Sequence, residues 1–179
     1  AETMYSNDYK DWINPGFITS EWTPWYSRIF TYLSPAGGNK NKFFTCPVET
    51  VPSTGAAPNF QYTHYGTNVN LNGGIGGTSR NFVRLRTNVP RPTLALHIAD
   101  NNRGTTYETA DSYWLGYRHG SPRQPYGTIA LANIPAYANV IYLDGHGEPR
   151  IYRTFAGKAN FYGRANYGFE LDFDGRRNL

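Results

Sequence analysis

Ala138–Arg150 reads ANVIYLDGHGEPR, and the rest of the chain is read outward from it. Asn139, Val140, Ile141, Tyr142 and Leu143 have the β-branched and aromatic content of a buried or half-buried strand. Asp144-Gly145-His146-Gly147 follows at once, with a carboxylate, an imidazole and two residues free to take positive φ. This predicts a hairpin whose return strand is Pro149–Thr154. The bland reading of such a tip is a wet turn. A chemical reading gains support upstream. A second strand-like run, Leu94–Ala99, ends in Asp100, and Tyr117-Arg118-His119-Gly120 supplies a second imidazole.

The 179 residues suffice for one domain with a substantial core, so neither metals nor disulfides are required for folding. Fifteen Tyr, ten Phe, nineteen Gly and twelve Pro against one Met describe a β- and loop-rich protein. The formal charge of +4 is modest and its cations are scattered, which argues against nucleic acid as a partner. Arg80, Arg84 and Arg86 would share one face of a strand, and a solvated face explains them. No apolar run is long enough to span a membrane. The single cysteine, Cys46, has no internal partner; burial and pairing with a cysteine upstream of this chain both remain open.

Taken in order, Ala1–Asp11 reads as the last turns of a helix stopped by Pro15-Gly16. A second helix opens at Ser20–Pro24, capped by Ser20 or Thr23, and Trp25, Ile29, Tyr32 and Leu33 form its core stripe. Gln61–Val69 alternates like a strand. Asn70–Ser79 carries four glycines and is expected to hold no regular element. It lacks the Lys-Ser/Thr of a phosphate loop. Phe82–Leu85 is a short helix or strand, Ser121–Pro135 a surface insertion, and Gly157–Leu179 an aromatic, polar tail.

Several of these stretches, in this order, resemble a pilin-like family with a prepilin-type N-terminus and a His-x9-Asp-Gly signature, itself similar to the major pseudopilin of type II secretion. Tyr5–Trp12 resembles the end of that family's long N-terminal helix. Phe43-Phe44-Thr45-Cys46-Pro47 and Tyr65-Gly66-Thr67-Asn68 match two short elements, and Val89–Asp100 matches its Pro-rich entry into a strand ending in Asp. His119, Asn139, Asp144, Gly145 and His146 carry the signature. Two departures stand out: 24 residues separate His119 from Asp144, and the apolar N-terminal helix is not in this chain.

The resemblance implies an α+β pilin-like head, residues 1–179, with short N-terminal helices packed on an antiparallel sheet and long Gly/Pro-rich loops. It implies a structural, non-enzymatic subunit of an extracellular pilus, pseudopilus or related surface filament. Such a subunit partners with itself or with other pilin-like chains, and meets a membrane only through an upstream helix. A chain starting at Ala1 would assemble differently from other pilins, with lateral strand pairing the expected mode.

For Asp100, His119, Asp144 and His146, one expectation is structural: His119 bonds the backbone near Asp144 and pins the insertion to the hairpin. Another is a metal site built from these four. Oxygen ligation would favour Ca²⁺, the ion implied by the resemblance, and histidine ligation Zn²⁺ or a related ion. Asp172-Phe173-Asp174-Gly175 begins like a calcium loop but lacks the later acidic ligand. Two further functional classes stay in view. One is a surface glycan-binding module using Trp12, Trp22, Trp25 or Trp114, and the other a metal-dependent hydrolase on His119, Asp144 and His146.

Overall fold

The computed structural model describes residues 1–34, 38, 40–52, 62–75, 85–89, 92–109, 114–128 and 135–152. The tail with Asp172–Gly175, and Arg80 and Arg84, lie outside the described residues. The helices are α1 (Glu2–Asp8), α2 (Trp25–Leu33), α3 (Lys40–Phe44) and α4 (Val69–Asn72). The strands are β1 (Phe17–Ile18), β2 (Thr23–Pro24), β3 (Tyr65–Asn68), β4 (Gly74–Ile75), β5 (Leu96–Asp100), β6 (Glu108–Thr109), β7 (Tyr137–Tyr142) and β8 (Gly147–Ile151). The class is α+β. Five strands form the main sheet in the order β6-β3-β5-β7-β8, and β2-β1-β4 form a small second one. The main sheet is antiparallel except at one edge, where β6 joins β3 in parallel.

The two apolar runs ending in Asp become neighbouring strands. β5 pairs with β7, with Ala99 opposite Val140 and Ile98 opposite Ile141. The expected hairpin forms between β7 and β8, and Gly145 at its tip has φ +99°, which only glycine adopts without strain. One face of the sheet packs Leu96, Ala99, Ala138, Val140 and Tyr142 against Leu115, Tyr117 and Tyr152. On the other, Trp25 and Ile29 of α2 join Phe44, with Ile98 and Tyr65 against them. That helical layer covers Ile98 but stops before its cross-strand neighbour Ile141, which is 42% exposed.

Some local expectations needed correction. α1 ends at Asp8, well before Pro15, where Lys10 and Asp11 turn left-handed (φ 54° and 68°). Neither Ser20 nor Thr23 caps α2; Pro24, the last residue of β2, holds that position, and Leu33 of the expected stripe is exposed. The glycine-rich stretch holds both α4 and β4. The expected insertion is anchored: Gln124 is buried, its Oε1 accepts the Tyr117 N–H at 3.0 Å, and Arg123 donates to the Val48 carbonyl at 3.0 Å.

Lateral strand pairing is disfavoured at β8, one of the two edges of the main sheet. The Asn139 N–H points to Asp100, so the facing pair Asn139–Pro149 exchanges no backbone hydrogen bonds. Pro149 therefore turns its missing N–H toward the open edge, where it removes a donor an incoming strand would need.

Candidate functional site

Asp100 is the last residue of β5 and fully buried. Its Oδ2 accepts the Asn139 N–H at 2.7 Å and stands 3.0 Å from His119 Nε2. Its Oδ1 is buried and has no hydrogen-bond partner. His119 is held by two backbone bonds to Tyr137, His119 N–H to O at 3.1 Å and Tyr137 N–H to O at 2.8 Å, and its ring stacks on that tyrosine. The Asn139 amide lies 2.9 Å from the same Nε2. From the segment after α3, Cys46 brings its buried Sγ to 3.8 Å from His119 Nε2. Three segments far apart in sequence thus converge on one point.

A ring of buried polar groups fixes this point. The Cys46 N–H donates to His64 Nδ1 at 2.9 Å, and the Asn101 N–H donates to the His64 carbonyl at 2.8 Å. Burial, then the nearby Arg118 charge, lowers the His64 pKa and keeps the ring a neutral acceptor. Arg118 donates to the carbonyls of Asn101 and His64 and pairs with Glu49 at 3.1 Å. Tyr65, which bonds Cys46, is pushed well above the ordinary tyrosine value, first by burial and then by the neighbouring Cys46 and Asp100.

Chemically, the arrangement is not a nucleophile relay. In a Cys–His–Asp relay the thiol and the carboxylate address opposite ring nitrogens. Here both address Nε2. Ligand atoms of Cys46, Asp100 and His119 lie within 4.8 Å of one another, which is the disposition of ligands around a shared ion.

The four sequence-predicted residues do not meet. Asp100 and His119 do, but Asp144 and His146 sit on the hairpin tip, beyond the opposite end of β5. Leu96, not Asp100, lies across from Tyr142, which puts the tip roughly 15 Å away along the strands. There Asp144 Oδ1 takes both the His146 ring Nδ1 at 2.6 Å and its N–H at 3.2 Å. Burial pushes the Asp144 pKa up, but the two bonds and the charge of His146 together outweigh it and hold the carboxyl below its ordinary value. His119 likewise bonds Tyr137 and Asn139 instead of the backbone near Asp144.

Cys46 was the residue that sequence reasoning kept apart from this group; its only signal was membership of a short Phe-x-Cys-Pro-like element. A second buried polar cluster gave no signal in the sequence. The His97 ring lies 3.2 Å from the Asn72 amide and 4.0 Å from Glu2, whose Oε1 accepts the Asn14 N–H at 2.8 Å. At 4.0 Å the pair is at the limit of an ion contact, and burial favours the neutral forms. It lowers His97 to about 3 and raises Glu2 to about 7. Of the four tryptophans, Trp25 is core, Trp114 is half-buried under Arg103, and Trp12 and Trp22 are exposed. No helix among the described residues is long and apolar enough to cross a membrane. No family model, curated protein or solved structure matches the chain.

Proposed function

We propose that the protein is a structural subunit of an extracellular pilus, pseudopilus or related surface filament, built as a pilin-like head. The observation that carries this reading is the uncovered apolar face of the β7–β8 hairpin. Tyr137, Ile141 and Ile151 are 38%, 42% and 39% exposed, and Tyr137 lies directly across from Ile151. This face continues the one that α2 covers at Ile98; among the described residues the His119 ring stacks on Tyr137, while Ile141 and Ile151 stay exposed. Exposed apolar side chains grouped on one face in this way are costly on an isolated subunit and suit a contact between copies. Pro149 blunts the edge, so the contact is face to face. The test is cell-surface filament preparation with the native protein and Ile141→Asp. The reading expects the native chain in the filament fraction and the folded variant outside it. A native chain that stays monomeric and never enters the fraction would sink it.

A second reading, a surface glycan-binding module, is favoured by one observation: Trp22 is 79% exposed, with its ring edge-on to Phe17. A flat, wet indole held by a neighbouring ring is a stacking platform for a sugar. A glycan array with native protein and Trp22→Ala separates the two readings.

A further inference from the structure

We propose that Cys46, Asp100 and His119 form a transition-metal site of the Zn²⁺ class, which clips the segment after α3 to the end of β5 and to the strand-like bridge at Tyr137.

The geometry argues for it first. Three ligands of a tetrahedral Zn²⁺, at the usual metal–ligand lengths, would stand ~3.5 Å apart for sulfur and nitrogen and ~3.3 Å for nitrogen and oxygen. The corresponding distances are 3.8 Å from Cys46 Sγ to His119 Nε2 and 3.0 Å from that nitrogen to Asp100 Oδ2. Two edges of a tetrahedral face are thus nearly formed, and the third, from Cys46 to Asp100, lies within 4.8 Å.

Independently, the carboxylate points to a missing cation. Asp100 is fully buried, and its Oδ1 accepts nothing. A buried charge is retained where it is paired or bound to metal. Arg118, adjacent to His119 in sequence, pairs with Glu49 at 3.1 Å.

The surroundings of His119 Nε2 also suit an ion. The nitrogen faces the Asp100 carboxylate and the Asn139 amide, whose oxygen and nitrogen exchange places by a flip. A metal on the Nε2 lone pair draws both groups as oxygen ligands. Asn139, with its amide reversed to present oxygen, or a water fills the fourth position.

The donor set selects the ion. A thiolate and an imidazole suit Zn²⁺ and its neighbours, whereas Ca²⁺ takes oxygen ligands only. Binding releases the Cys46 thiol proton to solvent, so affinity rises with pH.

The site stands or falls apart from filament assembly. The full chain is stripped with chelator, then titrated with Zn²⁺ and with Co²⁺ as a spectroscopic probe. One equivalent is expected, with a Co²⁺–thiolate charge-transfer band that disappears in Cys46→Ser and persists in Asp144→Asn/His146→Gln. Should Cys46→Ser fail to fold, zinc-edge X-ray absorption of the native protein decides, with one sulfur expected at ~2.3 Å. No stoichiometric binding, a shell of oxygen and nitrogen only, or a metal lost with His146 would each overturn the proposal.

Discussion

The carboxylate of Asp100 holds the backbone of Asn139: Oδ2 accepts that N–H at 2.7 Å where a strand carbonyl would ordinarily serve. At Asp100 the β5 backbone turns to another partner on this side, its carbonyl accepting the Gly116 N–H at 2.7 Å. The side chain thus extends the pairing of β5 with β7 beyond the last backbone bond. Asp100→Ala would leave the Asn139 N–H without this acceptor and cost ~1–3 kcal/mol. Asp100→Asn retains an acceptor and should recover part of that loss. Urea midpoints of the two variants check the order, and equal losses would refute this role for Oδ2.

The pair of half-buried Glu2 and buried His97 makes a distinctive pH signature. Glu2 is raised from 4.5 to about 7 and His97 lowered from 6.5 to about 3. Between pH 4.5 and 6.5 the unfolded chain has an ionised Glu2 and a protonated His97, while the folded chain has both neutral. Proton counts match, so the pair adds no slope to stability there. Above that window stability falls as pH rises through the Glu2 value, and below it stability falls as pH drops through the His97 value. Glu2→Gln leaves His97 alone. Its stability relative to the native chain should then climb with pH across that same window, by at most ~1.4 kcal/mol per unit. Denaturant titrations at several pH values measure the difference, and parallel profiles would exclude a neutral pair.

Trp25 begins α2, is 2% exposed, and donates its indole N–H to the Tyr107 carbonyl at 3.1 Å. Trp25→Ala empties the centre of the α2 layer and leaves the Tyr107 carbonyl with the Thr67 N–H as its remaining donor at 3.1 Å. The expected loss is ~3–5 kcal/mol, with Trp25→Phe losing less. Thermal unfolding of both variants tests this.

Gly145 at the hairpin tip has open space where a methyl group would stand, with no atom within 4 Å, so only its φ of +99° opposes substitution. Gly145→Ala should cost ~1–2 kcal/mol through backbone strain alone. Metal binding should be unchanged. A change in metal affinity would relocate the site to the tip.

Legibility followed the range of the forces. Leu94–Ala99 and Asn139–Leu143 were readable as strands because their residue types suit a pleated, half-buried surface, and Asp144-Gly145 because a positive φ demands glycine. The helix α4 at Val69–Asn72 was not readable. The glycines that follow it argue against any element, and Asn72 is held there by a tertiary bond from its amide to the Asn14 carbonyl at 2.7 Å. The stop of α1 at Asp8 escaped for a similar reason. Asp11 turns left-handed while accepting the Arg86 and Thr87 N–H groups from across the chain.

The candidate site shows the same division more sharply. Sequence alone determined that two strands end in Asp, that one carries a Gly-His tip, and that a lone cysteine stands before Pro47. Which of these groups meet was decided by strand register. Antiparallel pairing of β5 with β7 sends Asp100 and Asp144 to opposite ends, so two carboxylates that look equivalent in sequence are held apart. His119 goes to Asp100 because its backbone pairs with Tyr137, and Cys46 joins them because its N–H is fixed by His64. None of these contacts is local, and side-chain pattern carries no information about which distant backbone group will complete a hydrogen bond.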